Sequence, residues 1–201
     1  MNFKKWNRLS DAEILSKFGQ EGLDLVHEVE AFALNHISLA TSKAQLADRD
    51  IIISGMWDIN TGKKSDYFHN FSKQECQRVG GDYELYLENM FPNLKKRVDD
   101  VKAFRKENYN LEDVRFRKNP GEFPGAHAEV RALDNLAKKR FKYEFENNIP
   151  ITDEVFDAWL KNDVLGYNRN IELGVGQIKV GMHTCADCFH ILDLVTFIKP
   201  L

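Results

Sequence analysis

Residues Gly125–Leu133 read GAHAEVRAL. A histidine and a glutamate stand two residues apart where the loop NPGEFPG (119–125) runs into an amphipathic helix. Alone the triplet says little, because His-x-Glu arises often by chance and a helix start with one exposed carboxylate accounts for it. At about 100° per residue, His127 and Glu129 would diverge by about 200° on a regular helix. For both to face one point, His127 must sit at the non-helical entry. What the pair does then depends on partners elsewhere in the chain.

Those partners are sought near the other end, where Cys185 and Cys188 form a C-x-x-C and Cys76 stands apart. Three cysteines so placed suggest no disulfide framework, and the chain reads as one folded in a reducing compartment. A thioredoxin-like pair would also open a helix, but TCADC lacks the tryptophan before and the proline inside that such sites usually show. A metal site is the other reading. On a helix Cys185 and Cys188 share a face, whereas His190 lies about 140° from the first and about 200° from the second. A third ligand then comes from another element: His127 is the best placed, with His183 on the preceding strand as a rival. One His and two Cys leave a fourth zinc position open, which catalytic zinc keeps for water and structural zinc fills with protein. Two helix N-termini facing that point favour thiolate and hydroxide. Glu129 beside the bound water stands where a general base is needed.

The bulk properties are ordinary for a soluble globular protein. The 201 residues suffice for one domain with a sizeable core. Hydrophobic residues make up 43% and charged residues 29%, which argues against general disorder. A formal net charge of −3 gives no overall pull toward nucleic acid or anionic membrane, so any polyanion site must be local. No run reaches the roughly 18 apolar residues of a membrane span, and MNFKKWNRLSDAE lacks a secretory signal's apolar segment.

Outward from the two motifs, residues 1–48 read as a helical region. Ser10 and Glu13 have capping-box spacing, and Val26, Val29, Ala33, Ile37 and Ala40 form a core-facing stripe. DIIISGMWDINTGKKSDYFHNF (50–71) reads as a β-hairpin around NTGKK. Residues 72–120 read as a charged, largely helical insertion. Its later part, from Leu94, holds nine Lys/Arg against five Asp/Glu by direct count. The excess between Lys95 and Lys118 is compatible with a phosphate track, although a charge run is more often a solvated helix face. A helix over His127–Phe145 puts Val130, Leu133 and Ala137 on one side. Residues 147–174 read as a second largely helical insertion, broken by Pro150, with a short helix capped by Thr152. GQIKVGMHTCADCFHILDLVTFIKP (176–200) reads as strand, helix and short strand, far enough apart for a parallel crossover.

The two motifs in this order resemble the zinc-dependent cytidine deaminase superfamily, whose signature is H-x-E followed by P-C-x-x-C. GAHAEVRALDNL and CADCFHILDLVTF look like the bacterial polymorphic-toxin deaminases, in particular the YwqJ-like branch. The likeness covers Pro124–Ala137 and Gln177–Ile198, is looser over the hairpin, and is absent from the first helical region and both insertions. Thr184 stands where the family has proline, and the chain ends after what reads as the fourth strand, where larger members have a fifth.

The resemblance implies a cytidine deaminase-like three-layer α/β/α sandwich with a mixed sheet, as one domain over 1–201. It implies zinc on His127, Cys185 and Cys188, with Glu129 as the catalytic acid and base of a hydrolytic deamination, cytosine favoured over adenine. The substrate would be single-stranded nucleic acid or a nucleotide. Asn70 would contact the sugar, His69 and Phe71 would stack or line the pocket wall, Thr184 would shape its floor and Ala128 would be a further substrate-binding position; Phe123 would line the pocket mouth or simply staple the helix entry. The branch further implies a toxin effector domain acting in the target-cell cytoplasm, restrained by an immunity protein, with no membrane partner. Two rivals remain: a non-enzymatic module in which zinc is structural, and a nucleoside or nucleotide salvage deaminase.

Overall fold

The computed structural model describes residues 9–39, 51–107, 123–171 and 190–198. Its centre is an antiparallel pair. Strand β1 (Ile51–Asp58) runs beside β4 (Val164–Ile171) in continuous register from Ile51↔Ile171 to Asp58↔Val164. The other edge of β1 takes two short antiparallel strands, β2 (Lys63–Lys64) and β3 (Phe68–His69), which together are the return arm of the expected hairpin. Ser65 joins them, donating its N–H to the Met56 carbonyl and accepting the Met56 N–H on Oγ at 2.9 Å. Strand β5 (Thr196–Phe197) lies parallel to β4. The sheet is therefore mixed, in the order β2-β1-β4-β5 with β3 also on β1.

The helices follow from caps and periodicity. Helix α1 (Asp11–Leu39) starts with the expected capping box, the Ser10 N–H donating to Glu13 Oε2 at 2.8 Å. It breaks at Gly19, whose φ of 71° is one that glycine adopts without strain. Residues 72–107 form α2 (Lys73–Gln77), α3 (Asp82–Glu88) and α4 (Pro92–Glu107). Helix α5 (Ala128–Arg140) ends at Phe141, whose φ/ψ of −108°/41° separate it from α6 (Lys142–Glu146). The single helix to Phe145 is thus two. Helix α7 (Asp153–Asp163) carries the expected cap, Thr152 Oγ1 accepting the Val155 N–H at 3.4 Å.

The reading of 147–174 as a largely helical insertion is corrected here. Helix α7 runs directly into β4, which sits in the middle of the sheet and is the parallel neighbour of β5. Polar Asn168 and Arg169 hid the strand, yet VLGYNRNI alternates: Leu165 and Tyr167 face α1, while Val164 packs on the other helices. Residues 177–182, expected as a strand, lie outside the described residues, as do 108–122.

Each sheet face is covered. On one, Ile14, Leu25, Val26, Val29 and Ala33 of α1 pack on Ile53, Trp57, Leu165 and Tyr167. On the other, α4, α5 and α7 bring Leu94, Val98, Val130, Leu133, Leu136, Phe156 and Leu160 onto Met56 and Val164. Leu133 and Leu136 are fully buried, and each such side chain contributes about 1.5–3 kcal/mol relative to exposure. The stretch expected as an insertion over 72–120 is core-forming in its described part, through Phe91, Leu94 and Val98.

Candidate active site

The entry to α5 is fixed before any functional side chain is reached. Gly125 turns the chain at φ 89°, and a Cβ there would come within 3.3 Å of Val98. Pro124 accepts a hydrogen bond from the Tyr83 hydroxyl at 2.8 Å, and the Ala126 carbonyl accepts the Phe71 N–H at 2.9 Å. The end of the hairpin and the start of α5 are thereby one unit. An aromatic cluster seals it: Phe71 meets Tyr83 and Tyr86 at 5.8 and 5.6 Å, and Tyr83 meets Phe123 at 5.4 Å.

His127 follows as the N-cap of α5 with φ/ψ of −80°/150°, extended and outside the helix. This is the non-helical entry that a shared His127 and Glu129 site requires. His127 is half-buried. Glu129 occupies the first turn, where the helix dipole favours a negative charge, and is only 4% exposed. It is not the surface carboxylate of a plain helix start. Beneath it, the Asn168 Nδ2 group donates to Glu129 Oε1 at 3.1 Å, and Asn168 Oδ1 accepts the Ser54 hydroxyl at 2.7 Å.

The other expected residues distribute as follows. Asn70 Oδ1 accepts the Ile52 N–H at 3.0 Å, so that oxygen closes the edge of β1. His69 Nδ1 pairs with the Asn70 carbonyl at 2.9 Å. Phe71 is 9% exposed and lies under the Arg131 guanidinium, 3.9 Å from its ring centre; Phe123 is half-buried and Ala128 fully buried. Cys185, Cys188, His183 and Thr184 lie outside the described residues. Among the described residues no three His, Cys, Asp or Glu side chains gather to hold a metal ion.

Three residues at this site carry no motif. Arg131, four residues after His127, donates to the His69 carbonyl at 2.5 Å and stacks on Phe68 and Phe71. Burial pulls its guanidinium below the ordinary value, although it remains a cation. Ser54 and Asn168 had one available signal, the two-residue alternation of their strands.

Residues 108–118 of the basic stretch lie outside the described residues, and at the start of α4 the cations are paired with carboxylates. Lys95 pairs with Asp99, Lys96 with Asp153, and Arg97 with both Asp157 and Asp193 at 2.7 and 2.8 Å. A cavity of about 590 Å³ beside them is lined by Asp100, Asp153, Asp157, Asp193, Phe104 and His190 along with Lys96 and Arg97. Carboxylates outnumber cations there, which does not suit a phosphate. His190 faces this cavity.

Comparison of the chain with family models, curated proteins and solved structures gives no match. No helix among the described residues is long and apolar enough to cross a membrane.

Proposed function

We propose that the chain is a zinc-dependent hydrolytic deaminase of a nucleobase, cytosine in preference to adenine, acting on single-stranded nucleic acid or a nucleotide. In this reading it is the effector domain of a bacterial toxin, works in the target-cell cytoplasm and is held in check by an immunity protein. The observation that carries the reading is the local geometry of the His-Ala-Glu motif. His127 is the extended N-cap residue of α5, outside the helix, and the Glu129 carboxylate is buried in the first turn on a hydrogen bond from Asn168.

An imidazole at an extended helix entry with a buried carboxylate behind it suits a metal site beside a proton-transfer group, with His127, Cys185 and Cys188 as the ligands. Zinc, when bound, supplies a Lewis acid that makes water nucleophilic near neutral pH. Glu129 takes the proton from the attacking water and returns it to the ring nitrogen. It then carries the remaining proton of the added hydroxyl to the departing amine, so that the C–N bond breaks with loss of ammonia and the hydroxyl carbon becomes a carbonyl. His69, Asn70 and Phe71 stand at the sheet end fastened to the α5 entry, where they would border the base and sugar. The structural-zinc rival takes Glu129 for a surface acid, and the side chain's burial does not favour it.

The test is incubation of zinc-loaded protein, beside Glu129→Ala, with single-stranded DNA, RNA, nucleosides and nucleotides. Base changes are read by mass spectrometry. We expect a gain of about 1 Da on one substrate class, abolished in Glu129→Ala with zinc retained. Zinc loss in that variant would make Glu129 a ligand rather than a base, and no mass change with zinc bound would sink the deaminase reading. Expression without an immunity protein should harm a host cell, and Glu129→Ala should relieve the harm. A salvage enzyme would be tolerated.

A further inference from the structure

The sheet register puts Ser54 and Asn168 directly opposite each other on β1 and β4. Opposed residues of an antiparallel pair project to the same face and come close enough to bond. Here they do, through the Ser54 hydroxyl and Asn168 Oδ1 at 2.7 Å. Ser54 is fully buried and anchors the amide from the sheet, while the acceptor-only carboxylate of Glu129 selects which end points away from it. With its oxygen on the Ser54 hydroxyl, the Asn168 side chain presents its Nδ2 donor to α5, where it reaches Glu129 Oε1 at 3.1 Å.

We infer that Asn168, oriented by Ser54, is a positioning residue for Glu129: it holds Oε1 from the sheet side and so assigns the proton transfers to Oε2. The inference rests on the deaminase reading, in which Glu129 moves protons at the substrate. A carboxylate has two chemically equivalent oxygens, and a shuttle that must meet a water, a ring nitrogen and a leaving amine in turn gains from having one of them held. An amide NH₂ suits this task because it donates and cannot take the proton away. Serine at 168 would be too short, and aspartate would set a second acceptor-only carboxylate against the first. A slip of one residue in register would put Tyr167 or Arg169 there instead.

The experiment has two arms. In the first, the side-chain amide of Asn168 is followed by ¹⁵N NMR in the full chain. We expect one of its protons well downfield of ordinary asparagine amides, moving back in Glu129→Ala and becoming exchange-broadened in Ser54→Ala. An Asn168 resonance indifferent to Glu129→Ala would overturn the inference, whatever the protein's activity. In the second, kcat and KM are measured for Ser54→Ala, Asn168→Ala and the isosteric Asn168→Asp, each checked for zinc content and melting temperature. We expect kcat to fall about threefold, about thirtyfold and further still, in that order, with KM within about twofold of the parent. Turnover of Asn168→Asp equal to the parent's would show that the position only fills space, and the inference would fall. A parent protein inactive on every nucleobase would defeat the deaminase reading alone, leaving the NMR arm to decide whether Asn168 holds Glu129.

Discussion

One carboxylate on each face of the sheet is met from the strands by opposite means. On the α1 face, Arg169 is 1% exposed and its charge is met at 2.8 Å by Glu30, which also accepts the Tyr167 hydroxyl at 2.9 Å. On the α5 face, the contact rising from the sheet to Glu129 is a neutral amide. A cation in that place would grip the carboxylate in its charged form. An amide positions it and leaves its charge to be used. The first contact is built to stay as it is, and the second to hold a group that changes.

That comparison can be broken from either side. The largest effect is expected from the apolar part of the α5 face, where Phe156 is fully buried, stacks on Phe91 at 5.5 Å and meets Trp159 in a tilted contact at 5.4 Å. Phe156→Ala should cost about 3–5 kcal/mol in chemical denaturation, with little change in the position of Glu129. A loss under about 1 kcal/mol would mean that this cluster does not carry the face. Next comes Arg169→Met, which strands Glu30 on the α1 face. Glu30 keeps Tyr167 and some water, so a cost of about 3 kcal/mol is expected, at the lower end for a broken buried pair. Glu30→Gln in the same background should recover part of it, and a double-mutant cycle without coupling would remove the ion pair from the comparison.

The smallest effect concerns pH, and the faces should differ in sign. Burial raises the Asp134 carboxyl on α5 above its ordinary 3.8, against the opposing pull of Lys138 and of the Phe91 N–H. The folded state therefore holds that proton longer than the unfolded state, and its contribution is lost as pH rises from about 3.8. On α1, burial raises Glu28 too, but hydrogen bonds from Lys64 and Tyr67 and the Lys64 charge outweigh it, and the net value lies below 4.5. That contribution is present above 4.5 and lost as pH falls below it. Denaturation measured from pH 3 to 7 should show a shallower decline with rising pH in Asp134→Asn, and a weaker acid loss in Glu28→Gln. Parallel curves for parent and variants would show that neither group contributes as described.

What the sequence revealed of this arrangement depends on whether the signal was local. The Ser10 box, the Thr152 cap, the hairpin over 50–71 and the α1 stripe at Val26, Val29 and Ala33 rest on neighbours within a turn or two, and the structure has them. The extended conformation of His127 was legible for the same reason, since two side chains about 200° apart on a helix can share a point only if one precedes it. Strand β4 was missed because its side chains answer to partners over a hundred residues away: Asn168 to Ser54, Arg169 to Glu30. Without those partners, an asparagine and an arginine in mid-run read as surface. The support beneath Glu129 went unseen with the strand. The cysteine half of the expected site lies outside the described residues.

Gly125 has a consequence for how this chain can change by mutation. Two unrelated requirements meet at that position: a backbone angle of φ 89°, and closeness to Val98, whose methyl group would lie 3.3 Å from an added Cβ and would have to give way slightly. Relieving either would leave the other. No single compensating substitution in the neighbouring helices can open position 125 to another residue, so the two-residue spacing from this glycine to His127 is protected from drift by conformation and packing together.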